Sequence, residues 1–140
     1  MNKNKGFSLV ELIVVVAIMA VLVGILAPAY LSYVEKTRRG TDENTAEEVR
    51  HSIEIAAADI CVYDELKGGA DFSFSQGTSL GAHDDYGTAL AEAMTDVYSD
   101  KQFQIKSKKY NGRSYTVHVT AQSGGTGAAL TVTGEWSAAN

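Results

Sequence analysis

From Leu12 to Leu31 the chain runs for twenty residues without an Asp, Glu, Lys, Arg or His, and the residue just before that run is an acid, Glu11. As a helix, at about 1.5 Å per residue, the run reaches roughly 30 Å, the thickness of a bilayer's hydrocarbon core. Ile13, Val14, Val15, Val16 and Ile18 would suit a strand in water. In lipid, however, a lone strand leaves its amides unpaired, whereas a helix satisfies them internally. The run is therefore predicted to be a membrane-spanning helix. An ionisable group deep in lipid costs roughly 2.5 to 3.5 kcal/mol even on the lenient insertion scale, so Glu11 should have a specific partner.

Beyond Pro28 polar residues return but helical periodicity persists. Leu31 and Val34 come first, then Val49, Ile53, Ala56 or Ala57, and Ile60, with Glu43, Glu47, Glu48, Arg50 and Glu54 on the polar face. This amphipathic stripe predicts one long helix over about 8–62 that leaves the membrane and continues into a head. Gly24 and Pro28 are the candidate bend. Glycine loosens the backbone, and proline removes a hydrogen bond and crowds the preceding turn.

The 63–100 stretch is irregular by pattern, rich in glycine, with a short helix predicted from Thr88 to Tyr98 carrying Leu90, Met94 and Val97 on one side. From 101 onward period two takes over: Phe103 and Ile105, then Tyr115, Val117 and Val119, then Leu130 and Val132 alternate with polar residues. Three half-buried antiparallel strands follow, with a fourth allowed. Parity favours a three-residue loop, Tyr110 to Gly112 with Gly112 left-handed, pairing Ile105 with Val117 and Phe103 with Val119. By the same rule a 122–127 loop pairs Val119 with Leu130 and Val117 with Val132, and puts Trp136 on the buried face. The helical stripe and the apolar sheet face each need a cover, and each can be the other's. The predicted fold class is α+β, a long N-terminal helix packed against a C-terminal antiparallel sheet of three to four strands.

In 140 residues, removing the apolar segment leaves only about 100 to build a core, enough for one small domain. Lys3 and Lys5 precede the apolar run. Without them the formal charge of −5 becomes −7, a surface that repels nucleic-acid phosphates. The lone cysteine, Cys61, cannot close an intramolecular disulfide and is expected as a small buried side chain.

A secretory signal peptide would explain Lys3, Lys5 and an Ala27-Pro28-Ala29 cleavage pattern. Against it stand the acid inside the apolar region, a run of about sixteen residues where 7 to 15 is usual, a proline in the cleavage tripeptide, and periodicity continuing across the cut. A generic single-pass anchor explains the length but gives no reason for Glu11. A third reading starts from Gly6-Phe7-Ser8-Leu9-Val10-Glu11: a small residue, an aromatic, and an acid at the fifth place counted from that aromatic, all behind a short positive leader. With the apolar run and Pro28, this resembles the type IV prepilin class III signal, shared by type IV pilins, type II secretion pseudopilins and competence pilins. The resemblance covers about 1–60.

What the resemblance implies is a 1–6 leader peptide, a 7–31 filament-core helix and a 32–140 head, with the helix continuing to about 62, a variable 63–100 region and a 101–140 sheet. It implies cleavage between Gly6 and Phe7 by a prepilin peptidase, N-methylation of Phe7, and an assembly ion pair between the Phe7 amine and Glu11, on the same chain or a neighbour. The partners implied are copies of the chain in a helical homopolymer, an assembly platform with its ATPase, and membrane lipid before assembly. The location implied is the cytoplasmic membrane with the head outside, then an extracellular pilus. Two cations on one side of the span and Lys36, Arg38 and Arg39 on the other do not set that orientation, so it rests on the resemblance. Two departures stand out: Ala20 where many major pilins have glycine, and no disulfide in the C-terminal region.

Other candidates are weaker. His83-Asp84-Asp85 sits in a Gly-rich stretch that suits solvated loop chemistry better than a metal. Asp71-x-Ser73-x-Ser75 opens like a calcium loop, but has Gln76 where glycine is needed and Ala82 where the closing glutamate belongs. His51 and His118 have no nucleophile motif. No catalytic residue, metal or cofactor is expected, and the chain is not expected to be an enzyme. Lys106, Lys108, Lys109 and Arg113 with Tyr110 could touch DNA or a host surface, although lysines guarding an edge strand explain them as well. Tyr30 and Tyr33 suit a membrane interface.

Overall fold

The computed structural model describes residues 7–121 and 129–138. The leader with Lys3, Lys5 and Gly6, and the predicted 122–127 loop, lie outside the described residues. The chain divides into two compact units, Met1–Thr37 and Arg38–Asn140, and the helix α1 (Leu9–Ala56) contributes to both.

In the first unit every residue from Phe7 to Tyr33 is exposed within the chain, the apolar ones included. By length and composition this helix can cross a membrane. A helix apolar on all sides is one that lipid or other helices cover. Both Gly24 and Pro28 lie inside α1, whose assigned helix runs unbroken through them.

In the second unit α1 buries Asp42, Ala46, Val49 and Ile53, at steps of four, three and four. The helix ends at Ala56, short of the predicted 62, because Asp59 starts a new one. Its carboxylate accepts from the Cys61 N–H (2.8 Å) and caps α2 (Ile60–Leu66). The restart resets the helical phase, so Val62 and Leu66 turn inward, while Ile60 is 76% exposed and Cys61 is exposed rather than buried.

The sheet is three-stranded and antiparallel, in the order β1 (Ala70–Phe74), β2 (Tyr115–Ala121), β3 (Leu130–Trp136). Phe72 and Phe74 of β1, Tyr115, Val117 and Val119 of β2, and Val132 of β3 meet Ala46, Val49 and Ile53 of α1 in one core. This is the expected α+β arrangement with a different first strand. The 103–106 segment does not pair with β2, because β1 occupies that edge: Phe72 lies opposite Val117 and Ala70 opposite Val119. Residues 101–103 bond instead to the 77–80 loop, through the Phe103 N–H to Thr78 O (2.8 Å) and the Gly77 N–H to Phe103 O (2.9 Å). On the other side Val119 faces Val132, two residues from the predicted partner Leu130. A two-residue shift preserves which side chains face the core. Trp136 does pack inward, stacked on Tyr110 (4.1 Å between ring centroids) and against Phe103.

Helix α3 (Thr88–Tyr98) lies where its periodicity placed it. It buries Leu90, Met94 and Tyr98 and leaves Val97 58% exposed, so the inward face continues to Tyr98 rather than Val97. Its N-cap, Gly87, makes no side-chain cap. The capping group comes from α2: Glu65 accepts from the Ala89 N–H (2.9 Å) and the Leu90 N–H (3.2 Å), a carboxylate on a helix N-terminus. A Cβ at Gly87 would crowd that carboxylate and make it shift. Glu65→Ala is expected to cost about 1 to 2 kcal/mol and lower the head's melting temperature by roughly 4 to 16 °C, measured by thermal unfolding.

Candidate functional site

At the start of α1, Ser8 takes the N-cap role: its carbonyl accepts the Leu12 N–H (3.2 Å). Three residues on, the Glu11 carboxylate reaches back to accept the Ser8 N–H (2.9 Å). This is half of a capping box, in which a glutamate three places past the cap satisfies the cap's own amide. Ser8-Leu9-Val10-Glu11 carries that S-x-x-E signal in the sequence, a local partner for Glu11 beside any ionic one. The geometry turns the carboxylate toward the chain's beginning, with its bonded oxygen at the residue after Phe7. Phe7 itself is 86% exposed. Gly6 lies outside the described residues, so the geometry brings together Glu11 and Ser8 and says nothing of the Gly6–Phe7 bond. A Cβ added at Gly24 would meet nothing within 4 Å, so no packing within the chain requires glycine there.

In the head, the basic segment is anchored by an acid of α1. Asp42 is buried, and its two carboxylate oxygens accept the backbone N–H groups of Lys106 (2.9 Å) and Ser107 (2.8 Å). The next residue, Glu43, accepts from Tyr110 Oη and lies 3.5 Å from Lys109 Nζ. The Tyr110 hydrogen bond, followed by Lys109 and Arg39, holds Glu43 below the usual carboxylate range. The predicted left-handed Gly112 is present (φ 76°), in a turn rather than a hairpin. Lys106 to Arg113 therefore form a loop strapped to α1, not a guarded edge strand.

A second tie runs higher on α1. Tyr115 Oη donates to Glu47 Oε1 (3.1 Å), Arg50 Nε donates to Glu47 Oε2 (2.7 Å), and Arg50 Nη1 donates to Glu54 Oε2 (3.0 Å) and to the Val132 carbonyl (3.4 Å). Burial pushes the Tyr115 hydroxyl up to about 12, so it remains a donor throughout the physiological range. A Cβ at Gly134 would strike the Tyr115 hydroxyl, so the glycine in β3 is what lets this side chain cross the strand to reach α1.

His83 is buried among Phe72, Phe74 and Tyr86 rather than solvated in a loop. Nδ1 accepts the Asp85 N–H (3.2 Å), which leaves Nε2 to donate to the Ser73 carbonyl (3.0 Å). Both ring nitrogens are therefore engaged, within an aromatic cluster. Asp71 and Ser73 lie on β1. Asp71 accepts from His118 Nδ1 (2.7 Å), and Glu135 lies 3.5 Å from Nε2, so three strands place a histidine between two carboxylates on the outer face. The hydrogen bond to Asp71 is the main cause that raises His118 above its ordinary 6.5. A raised histidine stabilises the fold below its unfolded value, and that contribution is lost as pH climbs through the folded one. His118→Gln is expected to remove this loss from the stability-versus-pH curve, and NMR titration of the ring should show a midpoint above 6.5.

Comparison with known proteins bears on the N-terminal element first. Residues 1–27 match the family model for the prokaryotic N-terminal methylation motif. Prepilin peptidase-dependent protein D of Escherichia coli K12 is 35% identical over 71 residues, 51% of this chain and 49% of that relative. The type IV narrow pilus major component PilA5 of Thermus thermophilus is 26% identical over 100 residues, 69% of this chain and 86% of that relative.

The chain is similar to type IV pilin-like proteins.

Prepilin peptidase-dependent protein A of Clostridium perfringens adds a match along most of both chains, 26% identical over 123 residues, 84% of this pilin-like chain and 86% of the relative. The match to the Escherichia coli relative spans about half of that relative's length. No solved structure matches the pilin-like chain. Its α1 and three-stranded sheet nonetheless have the helix-on-sheet layout of the type IV pilin fold.

Proposed function

We propose that this pilin-like chain is a structural subunit, the major pilin, of a type IV pilus. In this reading it has no enzymatic activity of its own. A prepilin peptidase cleaves it between Gly6 and Phe7, Phe7 is N-methylated, and the chain polymerises through α1 with the help of an assembly platform and its ATPase. The observation that carries the reading is the N-terminal element: a methylation-motif match over 1–27 joined to a helix with apolar residues exposed on every side. Before assembly lipid covers that helix; in a filament other copies do. The folded-back Glu11 supports an ion pair within one chain at first, since cleavage would create the Phe7 amine one residue from the amide Glu11 already binds. Gly24 and Pro28 remain the proposed place for the helix to yield. In the membrane the head is placed outside, and in the filament it is displayed at the surface.

The PilA5 match over 86% of that pilus component supports the major-pilin form. The prepilin peptidase-dependent relatives fit a type II secretion pseudopilin equally well, and microscopy separates the two. Long surface fibres labelled by antibody to the head, and lost on deletion of the gene, are expected. Fibres that persist after deletion, or an absence of long fibres with secretion impaired, would overturn the pilus reading. A minor pilin that captures DNA or a host surface through the Lys106–Arg113 loop has less support, because Lys109 is paired with Glu43 and Tyr110.

A further inference from the structure

Basic side chains gather at one end of the head. Arg39, Lys106, Lys108, Lys109 and Arg113 gather where the strapped loop meets α1: Lys106 at Asp42, Lys109 at Glu43, Arg39 acting on Glu43 through space, and Arg113 over the Tyr110 ring (6.0 Å). At the other end, a groove between the end of α1, α2 and α3 is lined by Ile55, Asp59, Cys61, Glu92, Ala93 and Asp96. Among the described residues no cation pairs with Glu92 or Asp96. Among the described residues of the head the strongly exposed large apolar side chains are Ile55 (62%), Ile60 (76%) and Val97 (58%), and all belong to these same helices.

Seventeen residues of α1 separate Arg39 from Ala56, about 26 Å at helical rise. The two ends of one head cannot meet. We propose that the groove between α1 and α3 receives the Lys106–Arg113 loop of a second copy, making a head-to-tail contact within the filament. This rests on the assembly reading above and specifies which head surfaces meet. The Lys106 and Arg113 stems would cover Ile55 and Ala93 while their charged ends reach Asp59, Glu92 and Asp96, with Lys109 left on Glu43. Two complementary patches at different places on one chain form a heterologous contact, which propagates rather than closing into a dimer unless the rotation happens to form a ring. Charge complementarity selects a copy of the chain over an anionic membrane, which the loop could touch but the acidic groove would repel.

The test uses the chain's one cysteine, Cys61, which is exposed and lines the groove. Filaments of Lys108→Cys are treated with a short bis-maleimide and run on a denaturing gel. A ladder of dimers, trimers and longer species is expected, absent when Cys61→Ser is added. Reversing the groove with Glu92→Lys and Asp96→Lys should cut the ladder about tenfold, because like charges across an interface are strongly disfavoured. Adding Lys106→Glu should restore most of it. Filaments that form normally but give no ladder, or dimers alone, overturn this contact and leave the pilus reading intact. If the unaltered chain makes no filaments, the pilus reading falls and this contact with it.

Discussion

Replacing Glu11 by alanine is expected to leave the precursor cleavable and to reduce filament assembly by about two powers of ten. In the proposed reading the peptidase acts before Phe7, and Glu11 lies four residues further on. On the proposed ion pair, the substitution removes the anion for an amine held among apolar helices, where an uncompensated charge costs roughly 2.5 to 3.5 kcal/mol. At 1.4 kcal/mol per tenfold, that is about a hundredfold in the equilibrium of adding a subunit. Glu11→Gln is a sharper probe. Its amide oxygen can still accept the Ser8 N–H, so the helix start is preserved while the charge is lost. If filament yield, measured by shearing and quantitative blotting, falls equally in both variants, charge is what matters. If Glu11→Gln assembles normally, the capping bond to Ser8 is the role of Glu11 and the ion-pair argument fails.

The head offers the second large effect. Asp42→Ala should cost about 3 kcal/mol, because it strands the Lys106 and Ser107 amides, each bonded to a charged oxygen worth about 1.5 to 3 kcal/mol. Against a total of about 5 to 15 kcal/mol for a domain of this size, that loss is severe. The melting temperature in detergent should drop by roughly 12 to 24 °C. Asp42→Asn keeps one acceptor oxygen and should fall between the two. A drop of only a degree or two for Asp42→Ala would mean that the 106–113 loop does not depend on this tie.

The first helix was legible in the sequence because one feature, a charge-free run of membrane length, admits a single physical solution. Helix α3 was legible because Leu90 and Met94 repeat at helical spacing. The sheet was only half legible. Period two reports which face a residue takes, not which strand it pairs with, so the alternation at Phe103 and Ile105 pointed to a strand beside β2 when its partner is the 77–80 loop. The true neighbour, Ala70–Phe74, alternates just as well, with Asp71 and Ser73 facing out, but sat in a glycine-rich stretch taken as irregular. Gly69 and Gly77, both with φ of 85°, bracket that strand with turns rather than breaking it.

Register errors at β3 were confined to two residues because burial enforces parity. Ile60 was placed inward by extending one helical phase past Asp59, whose cap restarts it, and Cys61 by the general burial habit of cysteine. Asp42 could have been suspected as an acid at a core position of the stripe, four residues before Ala46. Its partners could not, since they are backbone amides 64 and 65 residues away. Of the N-terminal element, the acid and its setting were visible at once; the bond to Ser8 needed the geometry.

The central claim is that the N-terminal element is an assembly device made by processing. Intact-mass analysis of sheared filaments tests it most directly. The account predicts a chain that begins at Phe7 and carries one added N-methyl group. A chain still beginning at Met1, or one beginning after Ala29, would contradict it.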